Sequence, residues 1–139
     1  MFKDGERLGM TFARRVFRIA GIYGLLALVP IYLLEGRIGR DTPPPITHPE
    51  FFYGFLGVAV AWQVAFLIIA RDPVRFRPLM IAAVLEKATF AGAVTALMVV
   101  RGMGGPVLVG GLIDLVLGVL FVLAYLWTAP YRGEAIGVE

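Results

Sequence analysis

The chain has 139 residues, 59% of them hydrophobic, and a formal net charge of +3. Soluble domains contain only about 45–50% apolar residues, so this composition excludes an ordinary water-soluble fold. The absence of cysteine excludes disulfides and thiolate-bound metals. The basic residues flank apolar runs and form no solvated stripe, so we expect no nucleic-acid partner.

Four apolar runs are each long enough to cross a bilayer, which takes about 20 residues of helix. Because lipid offers no partner for unpaired backbone groups, each run must be helical. The sequence therefore predicts an all-α fold, a four-transmembrane-helix bundle in a single domain over residues 1–139. The predicted spans are 16–35, 51–70, 79–100 and 107–128, and the long outer loop is 36–50.

The basic residues predict the orientation, because arginine and lysine concentrate in cytoplasmic loops. Most of them lie before the first span, between the second and third, or after the fourth: Lys3, Arg7, Arg14, Arg15, Arg18, Arg71, Arg75, Arg77 and Arg132. The opposite side has Arg37, Arg40 and Arg101. Both termini are therefore predicted to be cytoplasmic, in a multi-pass protein of the cell inner membrane.

The loops predict how the spans are arranged. Three prolines at 43–45 favour a stiff extended segment, which we expect to fold over the outer mouth of the bundle. The other loops are short, so consecutive spans from the second onward should be antiparallel neighbours. A faint repeat pairs Gly54 with Gly111, and residues 73–75 with 130–132. Two explanations of this repeat remain open. Either the fold consists of two related helical hairpins, or helices that end at the same membrane interface simply use similar terminating residues.

Three charged residues and one amide lie inside the predicted spans: Glu86, Lys87, Asp114 and Gln63. A charge at the bilayer centre costs roughly 2.5–3.5 kcal/mol, so it needs a structural or functional reason. At about 1.5 Å of rise per residue, Glu86, Asp114 and Gln63 lie about 12–13 Å inside their spans, near the midplane. Three helices thus bring polar groups to one level.

Helical spacing predicts which faces point inward. The expected stripes are Ala82, Glu86, Thr89, Ala93 and Ala96 on the third span, Gly111, Asp114, Gly118, Phe121 and Tyr125 on the fourth, and Ala59, Gln63 and Phe66 on the second. Small residues beside the polar ones allow close helix approach. Lys87 lies about 100° around the helix from Glu86, so the two are predicted not to share a face. Its stem could instead extend toward the cytoplasmic headgroups.

Two interpretations of these polar groups remain open. In the structural one, Lys87 neutralises Asp114 or Glu86 and Gln63 hydrogen-bonds the rest, which fixes helix register. In the functional one, two acids against one lysine leave a surplus carboxylate that can carry a proton or bind a ligand. Both acids paired, with no void beside them, would leave only a scaffold. The candidate ligand-binding residues are Glu86, Asp114, Gln63, Lys87, Trp62 and Thr89.

The sequence offers little for catalysis or metal binding. His48 is the only histidine, and one imidazole beside Glu50 is a weak metal signal, since stable sites usually need three or four ligands. No glycine-rich phosphate loop, paired-histidine haem site or serine-nucleophile elbow is visible. We therefore predict no catalytic residue, no metal and no cofactor.

Several segments resemble a group of small bacterial membrane proteins of unassigned function, over nearly the whole chain. They are PPPITHPEFFYG (43–54), AWQ (61–63), RDPVRFRP (71–78), VLEK (84–87) and GLID (111–114). More remotely, the size and four-span plan are similar to DoxX-like proteins and to the sterol-isomerase and sigma-2-receptor superfamily. That resemblance implies that acidic residues in the bundle bind amine or sterol-like ligands. By position, Glu86 and Asp114 would be these acidic residues. The isomerases of that superfamily also use an intramembrane histidine, which the predicted spans lack.

The sequence favours a membrane protein that binds a small amphipathic, lipid-like or cationic ligand, or a transporter acting as a homodimer. The alternative is a non-catalytic accessory subunit or assembly factor of a larger membrane complex. An isomerase-like membrane enzyme is a more distant third.

Overall fold

A computed structural model describes residues 4–102 and 104–128, and within these ranges the chain is helical and contains no strand. The helices are α1 (Asp4–Leu28), α2 (Glu35–Asp41), α3 (Pro49–Arg71), α4 (Arg77–Arg101) and α5 (Pro106–Trp127), and a 3₁₀ turn (Val29–Leu33) follows α1. Four stretches are long and apolar enough to cross a membrane: Gly5–Leu33 and helices α3, α4 and α5. The predicted all-α, four-span fold is thereby confirmed.

Two helices extend into parts of the chain outside the predicted spans. Helix α1 begins at Asp4, well before residue 16, because its apolar positions Ala13, Phe17 and Ala20 keep one face buried while the neighbouring arginines stay exposed. In the outer loop, α2 occupies the first half, and the three prolines at 43–45 that follow it are not helical. Glu35 in the first turn of α2 and Arg40 in its last turn complement the helix dipole.

The two ends of the bundle differ in how tightly they pack. One end, here called the basic end, holds the start of α1, the α3–α4 connection and the end of α5. Its arginines are Arg7, Arg14, Arg15, Arg18, Arg71, Arg75 and Arg77; Lys3 and Arg132 lie outside the described residues. The other end, the α2 end, has Arg37, Arg40 and Arg101. The buried core lies toward the basic end: Ala13, Phe17, Ala20, Phe66, Ile69, Ala70, Met80, Ala83, Phe121 and Ala124.

The helices pack mainly as two pairs, α1 with α3 and α4 with α5, and α1 also contacts α5. Within the core, Phe17 stacks on Phe121 with ring centroids 4.2 Å apart, and Phe66 meets Phe121 at 4.9 Å. Contact between α3 and α4 is sparse. Although a short connection joins these two helices, they are not the close neighbours that the loop lengths predicted. A cavity lies between them.

The matched glycines of the faint repeat have different surroundings. A Cβ on Gly111 would meet Val94 at 2.7 Å, whereas one on Gly54 would meet no atom within 4 Å. The pairing of residues 73–75 with 130–132 falls partly outside the described residues, so the hairpin repeat stays a prediction.

Candidate functional site

A cavity of about 670 Å³ lies between the long helices, toward the α2 end. Small-molecule sites typically have about 300–1,000 Å³, mostly apolar walls and a few polar groups. The walls here are apolar and aromatic side chains of four helices, among them Tyr23, Phe55, Phe90, Ile113 and Leu117. Glu86, Lys87, Asp114 and Gln63 also line it, so the midplane polar residues have a void beside them.

Lys87 joins the two acids. Its Nζ lies 3.1 Å from Asp114 Oδ1 and 3.2 Å from Glu86 Oε2, and the lysine side chain is almost fully buried. The alternative in which Lys87 extends toward the headgroups was therefore wrong. The expected separation of Glu86 from Lys87 was also wrong, because two long side chains on adjacent positions can bend toward each other.

One oxygen of this triad lacks a hydrogen bond. Lys87 donates to Asp114 Oδ1 at 3.1 Å and, more weakly, to Glu86 Oε1 at 3.4 Å. Glu86 Oε2 lies 3.2 Å from the ammonium, but it is buried without a hydrogen-bond partner. Two carboxylates thus share one cation. With both acids ionised, the triad carries a surplus negative charge, and one of its carboxylate oxygens, Glu86 Oε2, accepts no hydrogen bond.

The inward face of α4 differs from the predicted stripe. Its buried residues are Met80, Ala83, Lys87, Ala91 and Val94. Thr89, Ala93 and Ala96 are exposed instead, and Glu86 is partly buried at the edge of the face. The centre of this face is Lys87, whose Cβ lies 3.4 Å from where a Cβ on Gly118 would stand. A lysine is thus the inward residue, a placement that apolar periodicity cannot predict.

The other two predicted stripes agree with the structure. Ala59, Gln63 and Phe66 are buried on α3, as are Gly111 and Phe121 on α5. Asp114, Gly118 and Tyr125 complete the α5 stripe and are partly buried.

Gln63 lies in the cavity wall but does not bond either acid. Its amide nitrogen donates to the carbonyl of Ala59 at 3.0 Å, one turn earlier on its own helix. Its side chain lies against Gly24 of α1, where an added Cβ would collide with the amide oxygen. Gln63 is therefore held by α1 and α3, and the hydrogen bond to an acid that the structural interpretation included does not form.

Trp62 and Thr89 stand apart from the other four candidates. Trp62 packs on Phe66 with ring centroids 6.1 Å apart, and Thr89 is exposed, with its hydroxyl bonded to the Glu86 carbonyl at 3.0 Å. Nothing in the sequence marked the aromatic residues Phe55 and Phe90 as part of the cavity wall. A large apolar residue in a span does not reveal whether it faces lipid or a void.

Helix α2 forms the wall at one end of the cavity, as expected for a segment that folds over the mouth. Ile38, Arg37 and Asp41 line it, and Arg37 pairs with Asp41 at 3.3 Å. The start of α2 is fixed to α3 because the Tyr53 hydroxyl donates to Glu35 at 2.7 Å.

No cluster of three or more metal-ligating side chains occurs among residues 4–102 and 104–128, and His48 pairs with Glu50 at the exposed surface. No family model, curated protein or solved structure matches this chain. Function is therefore inferred from the cavity and its charges.

Proposed function

We propose that this protein binds an amphipathic molecule with a cationic head group inside the membrane. The observation that carries the proposal is a cavity of about 670 Å³ whose apolar walls meet a triad of two carboxylates and one lysine. The apolar body of the ligand would lie against Tyr23, Phe55 and Phe90, and its head group against Glu86 and Asp114.

The charge of the triad favours a cation. Burying a charge without a counter-charge costs free energy, and so does burying a hydrogen-bond acceptor without a donor. Lys87 compensates only one of the two ionised acids, and Glu86 Oε2 accepts no hydrogen bond. A ligand ammonium would supply the missing positive charge, whereas an alcohol would not.

The tight packing at the basic end supports binding over passage through the protein. Phe17, Phe66 and Phe121 fill the bundle between the triad and that end. Transport would need these rings to separate, so we place transport, and a homodimer that performs it, second to binding. We also propose the inner membrane of a bacterial cell as the location, with the basic end cytoplasmic.

A scaffold or accessory subunit is the other class of function. The ion pairs of Lys87 would serve a scaffold by fixing helix register, but a scaffold gives no role to the void beside them. Native co-purification separates the two, because a subunit brings stoichiometric protein partners.

The test is thermal unfolding of the purified protein in detergent with dodecylamine, and with dodecanol as the uncharged match. We expect dodecylamine to raise the Tm of the wild-type protein in a concentration-dependent way, and dodecanol to raise it less. The double variant E86Q/D114N should lose the response, whereas E50Q, which removes an exposed acid outside the cavity, should keep it. An equal response in E86Q/D114N and wild type would contradict the proposal.

A further inference from the structure

The cavity has one loosely packed side wall. Helices α1 and α3 pack extensively, as do α4 and α5, but α3 and α4 touch sparsely beyond the short connection at the basic end. The cavity is lined by residues from both α3 and α4, so it lies behind this seam. Both helices are long and apolar enough to cross a membrane, so in a bilayer the seam would face hydrocarbon.

Two aromatic rings bridge this seam. Phe55 of α3 and Phe90 of α4 lie with ring centroids 6.0 Å apart and planes 24° from parallel. Both line the cavity, yet Phe55 is also 52% exposed on the outside of the bundle. Each ring of the pair therefore borders the void, and one of them also borders lipid.

The position of the pair suits a passage to the triad. Phe90 lies three residues beyond Lys87, or about 4–5 Å nearer the α2 end.

The alternative route to the cavity runs from water at the α2 end. Helix α2 lies over that end, and Tyr53 holds it to α3 through the hydrogen bond to Glu35 and a stacked contact with Tyr32 at 5.9 Å. Exposed residues of that end, among them Arg37 and Asp41, also line the cavity, so entry from water past α2 is the alternative that the Y53F variant tests.

We propose that Phe55 and Phe90 form a lateral gate, through which a membrane-dissolved amphiphile passes between α3 and α4. The gate opens to the half of the bilayer nearer α2. This inference rests on the proposed function and adds that the ligand comes from the lipid phase. Its head group would pass the two ring faces, which attract cations, before it reaches the carboxylates.

The test uses the absence of native cysteine, which makes an engineered pair unambiguous. F55C/F90C is joined with a thiol-specific bifunctional reagent that carries a reducible disulfide, and loading and release of tritiated dodecylamine are timed in nanodiscs. We expect the joined protein to load and release the amine at least about tenfold more slowly, with recovery after reduction, as for a closed gate. Each single cysteine variant, treated with the same reagent, is the control.

Alanine variants guard against misfolding of the cysteine pair. F55A and F90A should speed both loading and release, while F51A, which removes an exposed ring on α3 outside the cavity, should leave both rates unchanged. Y53F releases α2 and should also leave the rates unchanged. Unchanged rates in joined F55C/F90C, or faster rates in Y53F alone, would overturn the gate. An absence of amine binding in the wild-type protein would instead contradict the proposed function itself.

Discussion

At the scale of single residues, the polar site is organised around Lys87. The sequence placed Glu86, Lys87, Asp114 and Gln63 near one level, and all four line one cavity. Which acid pairs with the lysine could not be predicted, because the reach and bending of long side chains are not set by helical spacing. The structure has Lys87 between both acids, at 3.1 and 3.2 Å.

Removal of the lysine cation should destabilise the bundle more than removal of either acid. In K87M two carboxylates remain without a counter-charge, and breaking a buried pair in this way costs about 3–5 kcal/mol. E86Q and D114N each leave Lys87 one partner, so we expect smaller losses. The measurement is the free energy of unfolding from titration with a denaturing detergent.

The matched control for K87M is the triple variant E86Q/K87M/D114N, which has no charge in the triad. It should recover most of the stability lost in K87M. A triple variant as unstable as K87M would show that packing by the lysine stem, and not its charge, stabilises the bundle.

At the scale of helices, close approach depends on particular small residues. Helical spacing correctly predicted the inward-facing residues of α3 and α5, because small and polar residues recur there between large apolar ones. The α4 stripe did not, because alanines at 93 and 96 suggested an inner face that is exposed in the structure. Small residues permit contact but do not require it.

Gly21 gives a direct test of the contact between α1 and α3. A Cβ there would meet the backbone oxygen of Gln63 and the Leu67 side chain at 2.8 Å, and backbone cannot turn aside. We expect G21A to lower the free energy of unfolding by about 1–3 kcal/mol, as overpacking does. G92A adds the same methyl group where no atom lies within 4 Å, so it should be nearly neutral. Equal stability of the two variants would argue against the α1–α3 packing described above.

Arg77 joins the start of α4 to the end of α5. Its Nε donates to the carbonyl of Thr128 at 2.8 Å, and its guanidinium lies 3.8 Å from the Tyr125 ring centroid. A charged hydrogen bond contributes about 1.5–3 kcal/mol, so R77Q should reduce unfolding free energy by about that much. R77K should recover little of it, because lysine lacks the planar group. R71Q, at an exposed arginine of the same end, serves as the control, and the same detergent titration measures all three.

At the scale of the whole molecule, the bundle is closed at the basic end and hollow toward the α2 end. Hydropathy and loop charges were enough to predict four spans and the asymmetry of the arginines. The void could not be predicted, because sparse contact between α3 and α4 depends on how four helices pack together. Neither helix has a composition that marks the seam.

The proposed orientation predicts which residues an impermeant reagent can reach. In a cysteine-free chain, T47C lies in the loop after α2, and G5C lies at the start of α1. A membrane-impermeant maleimide applied to intact bacterial cells with a permeabilised outer membrane should label T47C and spare G5C. Lysis should then expose G5C. Labelling of G5C before lysis would reverse the proposed orientation.

The central claim is tested most directly by counting the amphiphile retained at the triad. Native mass spectrometry of the protein released from detergent micelles should show one dodecylamine bound to the wild-type chain and little retention of dodecanol. E86Q/D114N should lose the bound amine, and so should the charge-free E86Q/K87M/D114N, which should keep its fold. Equal retention of the amine by wild type and E86Q/D114N would contradict the account.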